Sequence, residues 1–103
     1  MTAKEFAKHL RDSGIEFIVD PDGWIRAKKV KDRMDEFCPI TALYFYEKGI
    51  FHRTTDFYSA ADGLGLAPDV AHCIVTQADK EHDQLEEFFS TLETGSCDQP
   101  TQS

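Results

Sequence analysis

Long apolar segments and cysteine are both scarce in this 103-residue chain. The longest apolar stretch without a charge covers residues 37–46, about half of the ~20 residues that a membrane-spanning helix needs. The first residues lack the basic-then-apolar pattern of a signal peptide. Three cysteines, Cys38, Cys73 and Cys97, are too few and too odd in number for a disulfide framework. We therefore expect a cytoplasmic protein whose cysteines are thiols.

Positive charge is almost missing from the second half. Residues 54–103 contain Lys80 as their one Lys or Arg against ten Asp and Glu, whereas residues 1–53 contain ten Lys and Arg against nine Asp and Glu. Nearly all of the formal net charge of −8 therefore lies after residue 53. Such a field repels nucleic acid and anionic membrane and attracts basic proteins. The expected partner is a basic or nucleic-acid-binding protein, with no direct contact to nucleic acid or membrane.

The composition is that of one globular domain. Hydrophobic residues make up 41% of the chain, which is typical of a folded core. We predict a single domain over residues 1–93 and a flexible C-terminal tail over residues 94–103, where Thr, Gly, Ser and Gln dominate.

Local signals in the first third predict a helix and a hairpin. Thr2 and Glu5 have the spacing of a capping box, and Gly14 is placed to end the helix that they open. A turn at residues 20–23 (Asp-Pro-Asp-Gly) joins two strands within residues 15–30. Residues 31–37 are charged and favour neither helix nor strand.

Four further helices are predicted after residue 37. Cys38-Pro39 begins a central helix that Gly49 ends, and a short helix over residues 56–62 is capped by Thr55 and stops at Gly63. The next helix runs from residue 68 to about residue 78.

A capping Asp83 precedes the last helix, which has an apolar stripe at helical spacing. Whether residues 68–93 form one helix or two stays open. The predicted fold class is thus α+β and mostly helical: an N-terminal helix, a two-stranded β-hairpin and four helices.

Residues 56–78 resemble the helix–turn–helix of bacterial repressors. The resemblance rests on the segment from Ala61 to Val70 (Ala-Asp-Gly-Leu-Gly-Leu-Ala-Pro-Asp-Val) and on Ile74. It implies a recognition helix over residues 68–78. The positions that would face DNA carry no Arg or Lys, although phosphate contacts provide most of the binding energy. A helix corner without DNA binding is therefore expected, and a DNA-binding regulator is the alternative.

A looser resemblance covers residues 24–80. The runs Trp-Ile-Arg at 24–26, Cys-Pro-Ile-Thr-Ala-Leu at 38–43, Leu-Gly-Leu at 64–66, Ile-Val at 74–75 and Ala-Asp at 78–79 are similar to those of small uncharacterised bacterial and phage proteins. This resemblance implies a prokaryotic or phage origin and transfers no functional residue.

Cys38 is the one candidate nucleophile. A thiol at a helix N-terminus has a lowered pKa, with His52 or His72 as a possible base, so a Cys38-dependent enzyme is a second alternative. The apolar neighbours Phe37 and Ile40 favour a buried thiol instead. No His, Cys or acidic spacing matches a metal module. We expect no catalytic residue, no metal and no cofactor.

Two charged segments are candidate binding surfaces. The first is a possible basic patch, interpreted as the solvent face of an edge strand and otherwise as a nucleic-acid strip: Arg26, Lys28, Lys29, Lys31 and Arg33. The second is an acidic surface along the last helix and its approach: Asp79, Glu81, Asp83, Glu86, Glu87 and Glu93.

The acidic surface is interpreted either as a solvated face or as a protein-binding site. The function predicted is that of a small, acidic, non-enzymatic protein-binding protein. Its most specific form is a DNA mimic, similar in size and charge to phage inhibitors of restriction and CRISPR systems.

Overall fold

The first helix of the computed structural model, which describes residues 1–98, is α1 (Ala3–Ser13). The hydroxyl of Thr2 accepts the N–H of Glu5 at 3.0 Å, and the Glu5 carboxylate accepts the N–H of Thr2 at 2.8 Å. Gly14 ends the helix with a φ of +73°. The predicted capping box and stop are therefore confirmed, and the helix buries one apolar stripe that includes Phe6 and Leu10.

The hairpin predicted within residues 15–30 is confirmed, but the sheet is not two-stranded as predicted, because a third strand joins it. Strands β1 (Phe17–Val19), β2 (Ile25–Val30) and β3 (Arg33–Phe37) form an antiparallel sheet in the order β1–β2–β3. β2 is therefore the central strand. The turn into β3 passes through Lys31, which has a φ of +53° although it is not glycine.

Four helices follow the sheet, as predicted, and the α+β class is confirmed. They are α2 (Pro39–Lys48), α3 (Phe57–Leu64), α4 (Pro68–Ala78) and α5 (Leu85–Glu93), with a 3₁₀ turn at Thr54–Asp56 before α3. Residues 79–84 separate α4 from α5, so residues 68–93 form two helices. Among residues 1–98, no helix has the length and apolar character that crossing a membrane requires.

Three predicted helix boundaries, one end and two starts, are wrong. Gly63 does not end α3, which continues to a left-handed Gly65 with a φ of +80°. A Cβ on Gly63 would overlap the ring of Tyr44, so this glycine permits close packing between helices instead. Thr55 lies within the 3₁₀ turn and caps no α-helix. Asp83 does not cap α5, since the residue at that position is Gln84.

The expectation of three thiols is also wrong. Cys73 of α4 and Cys97 form a disulfide, with Cα atoms 5.7 Å apart, and Cys38 is the free cysteine of residues 1–98. Beyond the disulfide, the carboxylate of Asp98 accepts the N–H groups of Ala3 at 2.6 Å and Lys4 at 3.1 Å. Residues 94–98 are therefore packed on the domain, which extends past residue 93. The rest of the predicted tail, residues 99–103, lies outside the described residues.

Helix α2 is at the centre of the fold. It contacts α1, α3, α4, β2 and β3, and its first five residues are buried. This agrees with a helix that is apolar on nearly all sides. Large, fully buried side chains of the core come from the sheet and from the helices, α2 included: Phe6, Leu10, Ile25, Phe37, Ile40, Leu43, Ile74, Phe88 and Leu92.

Candidate protein-binding surfaces

Part of the acidic charge on α5 is offset within the molecule by one arginine. Arg11 of α1 donates through Nη2 to Glu86 Oε1 at 2.6 Å and through Nε to Glu93 Oε2 at 2.7 Å. The same guanidinium lies 4.6 Å from the centre of the Phe89 ring. Its hydrogen bonds lower the pKa of Glu93. These two carboxylates attach α5 to α1, which reduces the charge that they present to a partner.

Two more of the six predicted acids also have partners. Asp79 Oδ1 accepts from Arg26 Nη2 at 2.8 Å. Glu87 Oε1 accepts the backbone N–H of Asp83 at 3.2 Å and lies 3.4 Å from Nδ1 of His82. Only the side chains of Glu81 and Asp83 have no ion pair or hydrogen bond within residues 1–98. The six predicted residues therefore do not form a uniform free acidic face.

Unpaired acidic charge is also present at the bend between α3 and α4. Ala61 and Ile74 are buried there and Gly65 makes the turn between the two helices, while the helix–turn–helix resemblance of residues 56–78 stays a prediction. Asp62 and Asp69 are exposed on its two sides and have no ion pair in the described part of the chain. The sequence pointed to them, because Asp69 occupies an outward position of the motif and Lys80 is the one Lys or Arg of residues 54–103. The N-terminal ammonium of Met1 also reaches this bend, where it donates to the Gly65 carbonyl at 2.7 Å.

An aromatic side chain lies on the same pair of helices. Tyr58 of α3 is 48% exposed, and its hydroxyl is 3.3 Å from Nδ1 of His72 on α4. His72 and Thr76 are exposed on α4, where no Lys or Arg accompanies them. An α4 surface of this composition lacks the cations that phosphate contacts require.

The predicted basic patch is not a continuous strip. Arg26 is buried between Asp79, at 2.8 Å, and Glu36, whose Oε1 is 3.6 Å from Arg26 Nε. Because β2 is central, Lys28 and Lys29 do not protect a sheet edge, and the edge-strand interpretation is wrong. Lys28 Nζ lies 3.8 Å from Oε2 of Glu36.

The last two cations of the patch contact aromatic rings. Lys31 Nζ is 5.5 Å from the centre of the Tyr46 ring, and the Arg33 guanidinium is 3.5 Å from the centre of the Phe51 ring. Lys31 belongs to the turn before β3, and Arg33 is the first residue of that strand. These two cations are therefore associated with the outer strand β3, whereas Arg26 belongs to the central strand β2.

Cys38 is a buried helix cap and not an accessible nucleophile. Its Sγ accepts the N–H of Thr41 at 3.5 Å at the start of α2, and burial raises the pKa of the thiol. His52 pairs with Asp56 at 3.2 Å instead of with the sulfur. A reactive cysteine requires an exposed, low-pKa thiolate, so this geometry gives no support to a Cys38-dependent enzyme. Within residues 1–98, no three His, Cys, Asp or Glu side chains converge on a metal position.

Comparison of the chain with protein-family models, curated proteins and solved structures finds no match. The resemblance to small bacterial and phage proteins therefore stays a prediction.

Proposed function

We propose that this protein acts without catalysis, by binding a basic protein through the carboxylates of its α3–α4 bend and the loop after α4. The observation that carries the proposal is the unequal pairing of the acids. Asp62, Asp69, Glu81 and Asp83 have no ion pair within residues 1–98, whereas Glu86 and Glu93 share Arg11. Carboxylates without an internal counter-charge keep the field that steers a cationic partner to the surface.

The partner that fits best is a nucleic-acid-binding protein. Its Lys and Arg groove normally accepts phosphates, and carboxylates on two adjacent helices would occupy that groove as a DNA mimic. The net charge of −8 on 103 residues supports this form of the proposal, as does the similarity to phage inhibitors in size and charge. The compartment proposed is the cytoplasm, where the Cys73–Cys97 disulfide would face a reducing environment.

Charge reversal tests the proposal. A tagged protein is used to capture partners from its host's lysate at low salt, and a protein released at high salt is purified for affinity measurements. The double variant Asp62→Lys, Asp69→Lys should bind that partner about tenfold more weakly or worse, because charge complementarity is lost. The matched control is Asp12→Lys, Glu16→Lys, which changes the net charge equally at two exposed residues of the first half.

Equal affinity of the Asp62/Asp69 variant and the wild type would refute the proposal, and so would an equal loss in the control. Failure to capture any basic protein would also count against it.

A DNA-binding regulator is the second candidate, because α3 and α4 are two short helices joined by a turn at Gly65, in the segment that resembles a helix–turn–helix. A gel shift with random duplex DNA at low salt tests it. Non-specific contacts alone give a Kd of roughly 10⁻⁴–10⁻⁶ M at physiological salt, and the binding is tighter at low salt. Retardation at tens of micromolar protein would favour the regulator, and the absence of retardation would exclude it.

A further inference from the structure

Residues 94–98, the C-terminal segment, are attached to the rest of the domain through two adjacent side chains. Cys97 forms the disulfide with Cys73 of α4, and the Asp98 carboxylate accepts the first two N–H groups of α1 at 2.6 and 3.1 Å. The other hydrogen bonds of the segment within the described chain stay inside it or return to the last turn of α5. Its position against α1 and α4 therefore depends on the disulfide and on the residue next to it.

The two helices beside the segment are held in place without the disulfide. α4 contributes three fully buried side chains to the core, and α5 contributes two. α5 is also joined to α1 by the ion pairs of Arg11 with Glu86 and Glu93. The segment itself contributes one buried side chain, that of Cys97. When the bond opens, we therefore expect the segment to detach while α4 and α5 stay packed.

The disulfide is more accessible from the α4 side. Cys73 is partly exposed, whereas Cys97 is buried. A thiolate that attacks the Cys73 sulfur forms a mixed disulfide with it, and Cys97 leaves as a thiolate that takes up a proton. The second thiol of a dithiol reductant then attacks the mixed disulfide, so that the reductant becomes a disulfide and Cys73 becomes a thiol. Two electrons pass from the dithiol to the bond, and the sulfur that leaves first is the one on the segment.

Release of the segment affects the first turn of α1. The first N–H groups of a helix have no partner within it, and Asp98 accepts two of them here. The next two are accepted by the hydroxyl and the carbonyl of Thr2, which belong to the cap of the helix itself. Reduction therefore frees the acceptor of the Ala3 and Lys4 N–H groups and leaves the capping box in place.

We propose that the Cys73–Cys97 bond is a reversible redox latch, which a dithiol reductant opens in the folded protein and a disulfide oxidant closes. In the closed form the C-terminal segment is docked on α1 and α4, and in the open form it is released from both. Disulfides of cytosolic proteins, where they occur, are usually transient or redox-sensing, so a latch agrees with the compartment proposed above. The latch goes beyond the proposed function and requires no partner protein.

NMR relaxation of the full chain tests the inference. The labelled protein is measured in the oxidised form, and again after dithiothreitol has been added at neutral pH without denaturant. On reduction, the order parameters of the backbone amides of residues 94–98 should fall from about 0.85, the value of a rigid backbone, to below about 0.6, whereas those of α2 and α4 should stay at about 0.85. The amide signals of Ala3 and Lys4 should shift, because their acceptor leaves. Oxidised glutathione, added after the dithiothreitol has been removed, should restore both.

Three variants assign the effect to the latch. The double variant Cys73→Ala, Cys97→Ala should have the order parameters of the open form and should not respond to dithiothreitol. Cys38→Ser, which keeps a hydrogen-bonding group at the start of α2, should open and close like the wild type. Asp98→Ala should shift the first two amide signals of α1 in the oxidised protein, although the segment is still tethered.

Three results would each overturn the inference. Reduction that proceeds only in urea would show a purely structural bond. Unchanged order parameters in the reduced protein would show that the segment stays docked, and an equal fall in α4 would show that the bond holds the core together. None of these measurements involves a partner, so they are separate from the charge-reversal test of the proposed function.

Discussion

Opening the Cys73–Cys97 disulfide should lower the free energy of unfolding by about 3.4 kcal/mol. The bond joins residues 24 apart in sequence. In the chain-entropy model, a loop of that length removes about 3.4 kcal/mol of conformational entropy from the unfolded state at 25 °C. Against a total stability of roughly 5–15 kcal/mol for a domain of this size, the loss is large.

A smaller part of the same stabilisation comes from Asp98. Its carboxylate accepts the N–H groups of Ala3 and Lys4, as an N-cap side chain would. In the oxidised protein, Asp98→Ala should therefore cost about 1 kcal/mol. In the reduced protein the cost should be smaller, because the segment that carries Asp98 is no longer tethered.

The assay combines urea unfolding, followed by circular dichroism, with a thiol count in denaturant. Oxidised protein should have one reactive thiol, that of Cys38, and reduced protein should have three. The double variant Cys73→Ala, Cys97→Ala should unfold like the reduced wild type and be insensitive to reductant. Three thiols in protein purified without reductant would refute the bond. Equal unfolding free energies in the oxidised and reduced states would refute the magnitude.

Three further predictions concern single side chains. Gly63→Ala should destabilise the protein by about 1–3 kcal/mol in urea, because the new Cβ overlaps Tyr44; the gain of about 1 kcal/mol usual for this change inside a helix would contradict the packing. Arg11 lowers the pKa of Glu93, so the stabilisation it gives is present above the unfolded value of about 4.3 and is lost as the pH falls. In Arg11→Gln, the free energy of unfolding should therefore depend less on pH below about pH 4.3 than in the wild type. An equal pH dependence of the two proteins would exclude the linkage. Burial raises the pKa of Cys38, so iodoacetamide should alkylate it at least about a hundredfold more slowly in the native than in the unfolded protein; equal rates would show an open site.

The parts of the fold predicted from sequence depend on neighbouring residues. The capping box at Thr2, the left-handed ends at Gly14 and Gly49, and the proline start of α4 are each set within one helical turn. The left-handed end of α3 at Gly65 is of the same kind, although the predicted end was Gly63, two residues earlier. Glycine at 63 is explained by Tyr44, which is distant in sequence.

The parts that were missed depend on distant partners. Residues 33–36 of β3 are all exposed, so no alternation of apolar and polar residues marks them as a strand. Their turn uses Lys31 in the left-handed region instead of the Gly or Asn that marks such turns. The disulfide requires that α4 and the chain after α5 meet in space. An odd number of cysteines gives no hint of that meeting.

The acidic surface shows why counting charges along the chain is not enough. Arg11 and Glu86 are 75 residues apart in sequence, and only the packing of α1 on α5 brings them together. The basic first half therefore neutralises part of the acidic second half. The carboxylates left over, such as Asp62 and Asp69, are selected by tertiary structure and not by local charge density.

The packing of α1 against α5 also affects how the chain is made. The side chains of Phe6 and Leu10 lie on the stripe that α1 buries, and α5, which helps to cover that helix, is the last to be synthesised. At 5–20 residues per second, the 75 residues between Arg11 and Glu86 take about 4–15 s to translate. Helices α2 and α4, which also contact α1, are made earlier, so for part of that time the side of the stripe that α5 covers is still exposed on the nascent chain.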